Sequence, residues 1–121
     1  MKYRELIKKI QDYSGFSDNE SEDALDLVVE TIATRLAPGQ RKDFASQLPE
    51  ELEDIAMRPT IAQQFSADDM LEELCELEDI DRGRAKKQVM AVWRALKDAI
   101  SPRKIENIRS QLPEDLIQAL H

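Results

Sequence analysis

The sequence predicts an all-α fold of about eight helices, arranged as two tandem, pseudo-symmetric four-helix repeats that share one core. Three observations predict it. Apolar residues recur at the three-and-four spacing of a helical face, and no alternating β-branched run occurs. Prolines and capping residues punctuate the chain at the intervals of short helices. A seven-residue element, SQLPEEL at 46–52, returns as SQLPEDL at 110–116.

The two copies of that element lie 64 residues apart, and the same offset aligns the apolar positions of the rest of the chain without a gap. Leu6 falls on Met70, Ile7 on Leu71, Ile10 on Leu74 and Tyr13 on Leu77. Leu25 falls on Val89, Val28 on Val92, Val29 on Trp93, Ile32 on Leu96 and Leu36 on Ile100. The chain therefore reads as a single helical domain over 1–121, with repeat A at about 3–57, a join at about 58–66 and repeat B at about 67–121. Pro59 to Gln64, within that join, is too short for a free linker between independent domains.

The first helix is expected over about 3–14, where Leu6, Ile7, Ile10 and Tyr13 share a face and Gly15 supplies the left-handed stop. Ser17 and Glu20 form an S-x-x-E capping box for the second, and Asp18, Glu20, Glu22 and Asp23 suit its positive end. Leu25, Val28, Ile32 and Leu36 give that helix a buried stripe, and Pro38-Gly39 breaks it. The third and fourth helices are expected over about 39–47 and 49–57, with Pro49 in the first turn of the fourth. Repeat B follows the same plan. Ser66 caps a helix over about 67–78, and Asp81 caps a long one over about 82–100. Pro102 and Pro113 open the last two. In SQLPE[ED]L, Leu48 and Leu112 read as anchors, and Leu52 and Leu116 as residues packing back on them, so the element is structural before it is a binding loop.

Composition narrows the function. The 121 residues hold 17 Lys plus Arg against 25 Asp plus Glu, a net charge of −8. Neither half is basic, which argues against nucleic acid as a partner. No apolar run approaches the roughly 20 residues of a membrane span. The amphipathic start has no signal-peptide core, so the expected location is the cytoplasm, with no membrane partner. The lone Cys75 and lone His121 can build neither a Cys–His nucleophile nor a zinc site, and His121, as the last residue, is expected to fray. Asp79, Asp81 and Gly83 hint at a calcium loop, but Gly is misplaced and position twelve is Met90 rather than Glu. The expectation is thus no catalytic, cofactor-binding or metal-binding residues and no cofactor.

Charge sign inverts at matched positions: Lys8 and Lys9 against Glu72 and Glu73, Glu22 and Asp23 against Lys86 and Lys87, Glu30 against Arg94. Either neighbouring helices pair within a repeat, or the repeats meet across a pseudo-twofold axis with unlike charges facing. Drift on solvated faces is the bland alternative. The basic cluster Arg82, Arg84, Lys86 and Lys87 abuts an acidic helix and is expected to be neutralised by it.

The doubled LPxEL signal, the repeat of some sixty residues and the proline-punctuated helices resemble a bacterial family, domain-of-unknown-function family 2267, whose members carry a similar A/S-Q-L-P-x-E-L element. The resemblance covers about Tyr3 to Leu120. It implies an all-helical bacterial domain and brings no activity or catalytic residues with it.

The favoured reading is a non-enzymatic protein-interaction or assembly module, monomeric or a weak homodimer, with a protein partner of unknown identity docking at the junction of the halves. A small-ligand pocket at that junction, lined by Met70, Trp93 and Met90, is one alternative. An acid–base enzyme using paired carboxylates is the other, and it needs an Asp or Glu with a raised pKa. Trp93, on the Val89–Val92–Leu96 face, reads as core first and interface anchor second.

Overall fold

A computed structural model describes residues 1–58 and 65–121. The apolar periodicity becomes eight helices among them: α1 (Tyr3–Ser14), α2 (Asp18–Thr34), α3 (Pro38–Ser46), α4 (Glu50–Met57), α5 (Ala67–Glu78), α6 (Arg82–Ala99), α7 (Pro102–Arg109) and α8 (Glu114–Leu120). No strand occurs among the described residues. The expected join over Pro59 to Gln64 lies outside them.

Local chemistry sets the helix ends. Ser17 and Glu20 form the full capping box of α2, and Ser66 and Asp69 form that of α5. The Asp81 side chain accepts from the Arg84 N–H at the start of α6. Gly15 stops α1 at φ 74°, a conformation open to it because it lacks a Cβ. Asp79 ends α5 in the same left-handed region at φ 53°.

The prolines sit slightly off their expected places. Pro38 is the first residue of α3 rather than only the break after α2, which already ends at Thr34. Pro49 and Pro113 are N-caps rather than first-turn residues, with ψ of 152° and 157°. Their extended backbone turns the chain into the next helix while Leu48 and Leu112, just before them, stay buried. Two hydrogen bonds at each corner match in position. Leu48 N–H donates to Ala45 and Leu52 N–H to Pro49, as Leu112 N–H donates to Arg109 and Leu116 N–H to Pro113. The SQLPE element is thus a helix-to-helix corner held by its own backbone and two buried leucines.

Packing crosses between the first four helices and the last four. Helix α1 lies on α6, α5 lies on α2, and α2 and α6 pack on each other. The short α4 covers α2, α8 covers α6, and α3 touches α7. One apolar cluster runs through all of this, from Leu6 and Ile10 through Val28, Val29 and Ile32 to Val92, Trp93, Leu96 and Leu116. Full burial of each such aliphatic side chain contributes about 1.5–3 kcal/mol.

The ion pairs follow the crossed packing. Lys9 lies 3.8 Å from Asp98, and Lys104 pairs with Asp43. Arg84 forms a forked contact with Glu20, at 2.9–3.1 Å, and stacks over the Phe16 ring. Arg4 instead pairs within the first four helices, with Glu22. Of the sign-inverted residues, Glu22 and Lys9 take part in these ion pairs, and each pairs with a residue outside that set.

Candidate functional site

The exposed side of α6 forms the wall of a groove. Lys87, Met90, Ala91, Arg94 and Lys97 follow one another at helical spacing. The last turn of α1 brings Tyr13 and Ser14 against them, and the end of α8 brings Leu120 and His121. With Trp93 these residues enclose a groove of about 430 Å³. Its floor is apolar: Trp93 is only 2% exposed, Leu120 and Ala91 are buried, and Met90 is 37% exposed. His121 stands edge-on to the Trp93 ring, with centroids 6.1 Å apart and planes at 82°. Trp93 Nε1 is buried and has no hydrogen-bond partner among the described residues.

The rim is basic. Among the described residues, Lys87 and Lys97 make no hydrogen bond or ion pair. The Arg94 guanidinium lies 4.3 Å from the centroid of the Tyr13 ring, a stacking that leaves its N–H groups at the surface. The Tyr13 hydroxyl donates to Asp98, and that hydrogen bond, helped by burial and the Asp98 charge, raises the Tyr13 pKa. Burial first, then the cations Arg109 and Lys97, hold His121 below the usual imidazole range, so the ring is neutral near pH 7. Lys87, Arg94 and Lys97 thus give a chain of net charge −8 a local positive rim.

A second groove, of about 310 Å³, lies where α2, α4 and α5 meet. Asp23, Asp26, Leu27 and Glu30 come from α2, Ile55 from α4, and Glu73 and Leu77 from α5. Leu77 is 55% exposed, the most of any large apolar side chain among the described residues. Burial, with the charges of Asp23, Glu22 and Glu30, pushes the Asp26 carboxyl up to about 6. Glu78 lies against Asp23. Its buried Oε1 has no donor while both acids are ionised. A proton shared with Asp23, then burial and the charges of Asp23 and Glu20, pushes Glu78 up to about 7.

The two grooves correspond position by position. Asp23, Asp26, Leu27, Glu30 and Leu77 are each 64 residues from Lys87, Met90, Ala91, Arg94 and Tyr13, all of which line the other groove. The charge at these positions is reversed: Asp23 stands 64 residues from Lys87, and Glu30 from Arg94.

The structure brings together two of the three residues expected at a pocket. Trp93 and Met90 line the basic groove. Met70 does not: it is 1% exposed, inside the core, because it shares the buried face of α5 with Leu71 and Leu74. His121, expected to fray, packs on Trp93 instead. The basic cluster divides. Arg82 bonds to Asp68 and Arg84 to Glu20, while Lys86 donates to the carbonyls of Gln118 and Ala119. Only Lys87 of the four turns to the groove. Sequence reasoning passed over Lys97 and Arg94 as groove residues, although their sequence spacing from Lys87 on one helix placed them on a common face.

Among the described residues, no three His, Cys, Asp or Glu are grouped to hold a metal ion, and no helix is long and apolar enough to cross a membrane. Cys75 is half-buried against the core. Residues 3–119 match a family model described as Uncharacterized conserved protein (DUF2267). Comparison with curated proteins finds no match.

Proposed function

Because the chain belongs to the DUF2267 family of uncharacterized conserved proteins, which brings no activity with it, we propose from its own side chains that it is a non-enzymatic binding module. Its basic groove takes an acidic, amphipathic segment of a protein partner. The observation that carries this reading is the combination at one place of a Trp93–Met90–Leu120 floor and a Lys87–Arg94–Lys97 rim. Apolar anchoring supplies affinity in such a site, and the rim supplies orientation and selectivity for carboxylates. The same volume lies within the range of small-ligand pockets, so a small apolar anion would satisfy the same chemistry.

The groove falls between helices of the first and second sets, and we read those sets as copies of one duplicated unit. Two features support that reading. The helix starts Tyr3 and Ala67, Asp18 and Arg82, Pro38 and Pro102, and Glu50 and Glu114 are each 64 residues apart. Glu20 and Arg84, also 64 apart, touch each other, as matched residues beside a twofold axis would.

A second reading, proton transfer by the acidic groove, draws on the raised Asp26 and Glu78 carboxyls. Burial with like charges nearby accounts for the Asp26 shift, and a proton shared with Asp23 followed by burial accounts for that of Glu78, in both cases without catalysis, so binding is the stronger reading.

Trp93 is the only tryptophan and so reports on the groove directly. Its emission should change on titration with a synthetic helical peptide of Glu and Leu. The peptide with Lys in place of Glu should have no effect. Lys87→Glu with Lys97→Glu should weaken the acidic peptide by about tenfold or more. Equal responses to the two peptides, or full binding by the double variant, would remove the proposal.

A further inference from the structure

The acidic, amphipathic segment that the groove calls for is present on this chain. The exposed face of α5 carries Glu72, Glu73, Glu76 and Leu77, which share that face at spacings of four. Leu77 is the most exposed large apolar side chain among the described residues, and it stands with carboxylates on either side. An exposed leucine of that kind is not explained by the fold, since the neighbouring Leu71 and Leu74 already supply the buried face of α5. It has the character of an anchor.

We propose that the partner is a second copy of this chain, docked head to tail, with the α5 ridge of one copy seated in the basic groove of the next. Leu77 meets the Trp93–Met90 floor. Glu73 and Glu76 face Lys87, Arg94 and Lys97. The reading rests on the binding role proposed above and names its occupant. The ridge and the groove are different surfaces, so the contact is heterologous. It leaves one unfilled groove and one free ridge at the two ends of every pair, and it extends into a chain unless the rotation closes a ring.

Charge explains why the contact selects this face. Two copies, each of net charge −8, repel at long range. At about 0.15 M salt the screening length is about 8 Å, which removes most of that repulsion but leaves touching charges their attraction. A surface without cations would gain nothing from approach, whereas the groove offers two lysines with no partner of their own among the described residues.

Sedimentation velocity of the full chain, from micromolar to millimolar concentration at about 0.15 M salt, tests this. Mass should rise with concentration to a dimer and beyond, with Trp93 emission changing in step. At about 1 M salt the association should weaken. Two charge-reversed variants then separate docking from folding. One carries Lys87→Glu and Lys97→Glu, the other Glu73→Lys and Glu76→Lys. Each alone should remain monomeric with an unchanged helical circular dichroism spectrum. Mixed in equal amounts, they should associate again, because the native ridge of the first meets the native groove of the second and the reversed ridge of the second meets the reversed groove of the first. A rescue of that kind is not produced by a folding defect. A wild-type chain that stays monomeric at millimolar concentration, or variants that associate as well alone as the wild type does, would overturn the proposal. If the acidic peptide still binds the groove in that case, the binding role stands and its partner is a different acidic chain. If the peptide also fails, both readings fall.

Discussion

Lys87, Arg94 and Tyr13 line one groove, and Asp23, Glu30 and Leu77 line the other at positions 64 residues away. The long cations of the first reach water along their apolar stems, and Arg94 adds a stacking contact with Tyr13. The short carboxylates of the second are partly buried and lie close to one another. Burial, then the neighbouring charges, lets Asp26 hold its proton up to about pH 6, and the proton shared with Asp23, then burial, lets Glu78 do so up to about 7. The two grooves thus differ in the sign of their lining charges, while the positions beneath both are apolar and buried.

That contrast is open to test first at its foundation. If the two sets of helices are equivalent below their surfaces, Leu48→Ala and Leu112→Ala should each cost about 2–5 kcal/mol, as buried leucines do, and by similar amounts. Urea denaturation followed by circular dichroism measures both. The two leucines are 6% and 7% exposed in matched corners, so a large cost at one and under about 1 kcal/mol at the other would break the equivalence.

The seam between the two sets supplies a smaller effect. Gln88 is fully buried; its Nε2 donates to Glu20 at 2.9 Å, and its Oε1 has no partner among the described residues. Burial would raise the Glu20 pKa, but hydrogen bonds from Arg84 and Ser17 outweigh it and hold the carboxyl below its usual range. Glu20→Ala leaves the Gln88 amide wholly unpaired and Arg84 without its forked acceptor. It should destabilise by about 1–3 kcal/mol. Arg84→Ala should destabilise less, since Glu20 keeps Gln88 and the Ser17 N–H and its side chain is nearer solvent. Denaturant midpoints in which Arg84→Ala is the more damaging would mean that the seam is held by charge rather than by the amide.

Much of the fold was legible because its signals are local. Capping residues, prolines and three-and-four spacing fixed where α1, α2, α5 and α6 begin. The 64-residue offset placed the corners at Pro49 and Pro113. The groove was not legible, because it forms where α6 meets the ends of α1 and α8, and no single segment encodes that meeting. Trp93 and Met90 were singled out by residue type, and Met70 with them. The offset that pairs Met70 with Leu6 already carried the reason it is buried. The same rule pairs Glu20 with Arg84, a contact that side-chain class alone did not suggest. Lys97 lacked any inverted partner, since Ala33 stands at its matched position, and so drew no notice.

The smallest effect expected is the one that isolates the electrostatics of the acidic groove. Asp26 ordinarily would titrate near 3.8, and in the folded chain it does so near 6. The folded state therefore binds this proton more tightly than the unfolded state. Its contribution to stability is fully present below about pH 3.8 and is lost as pH rises through about 6. Asp26→Asn holds the site in its uncharged form at every pH. Relative to wild type it should be more stable at pH 7–8, by about 0.5–1 kcal/mol once solvent screening of the half-buried group is allowed for. The gain should shrink toward zero near pH 3.5, where wild-type Asp26 is itself protonated. Paired denaturation curves at the two pH values cancel the titration of the other carboxylates. A gain that is equal at both would trace the effect to packing rather than to the burial of the Asp26 charge and its neighbours Asp23, Glu22 and Glu30. The contrast in charge between the two grooves would then carry no strain of its own.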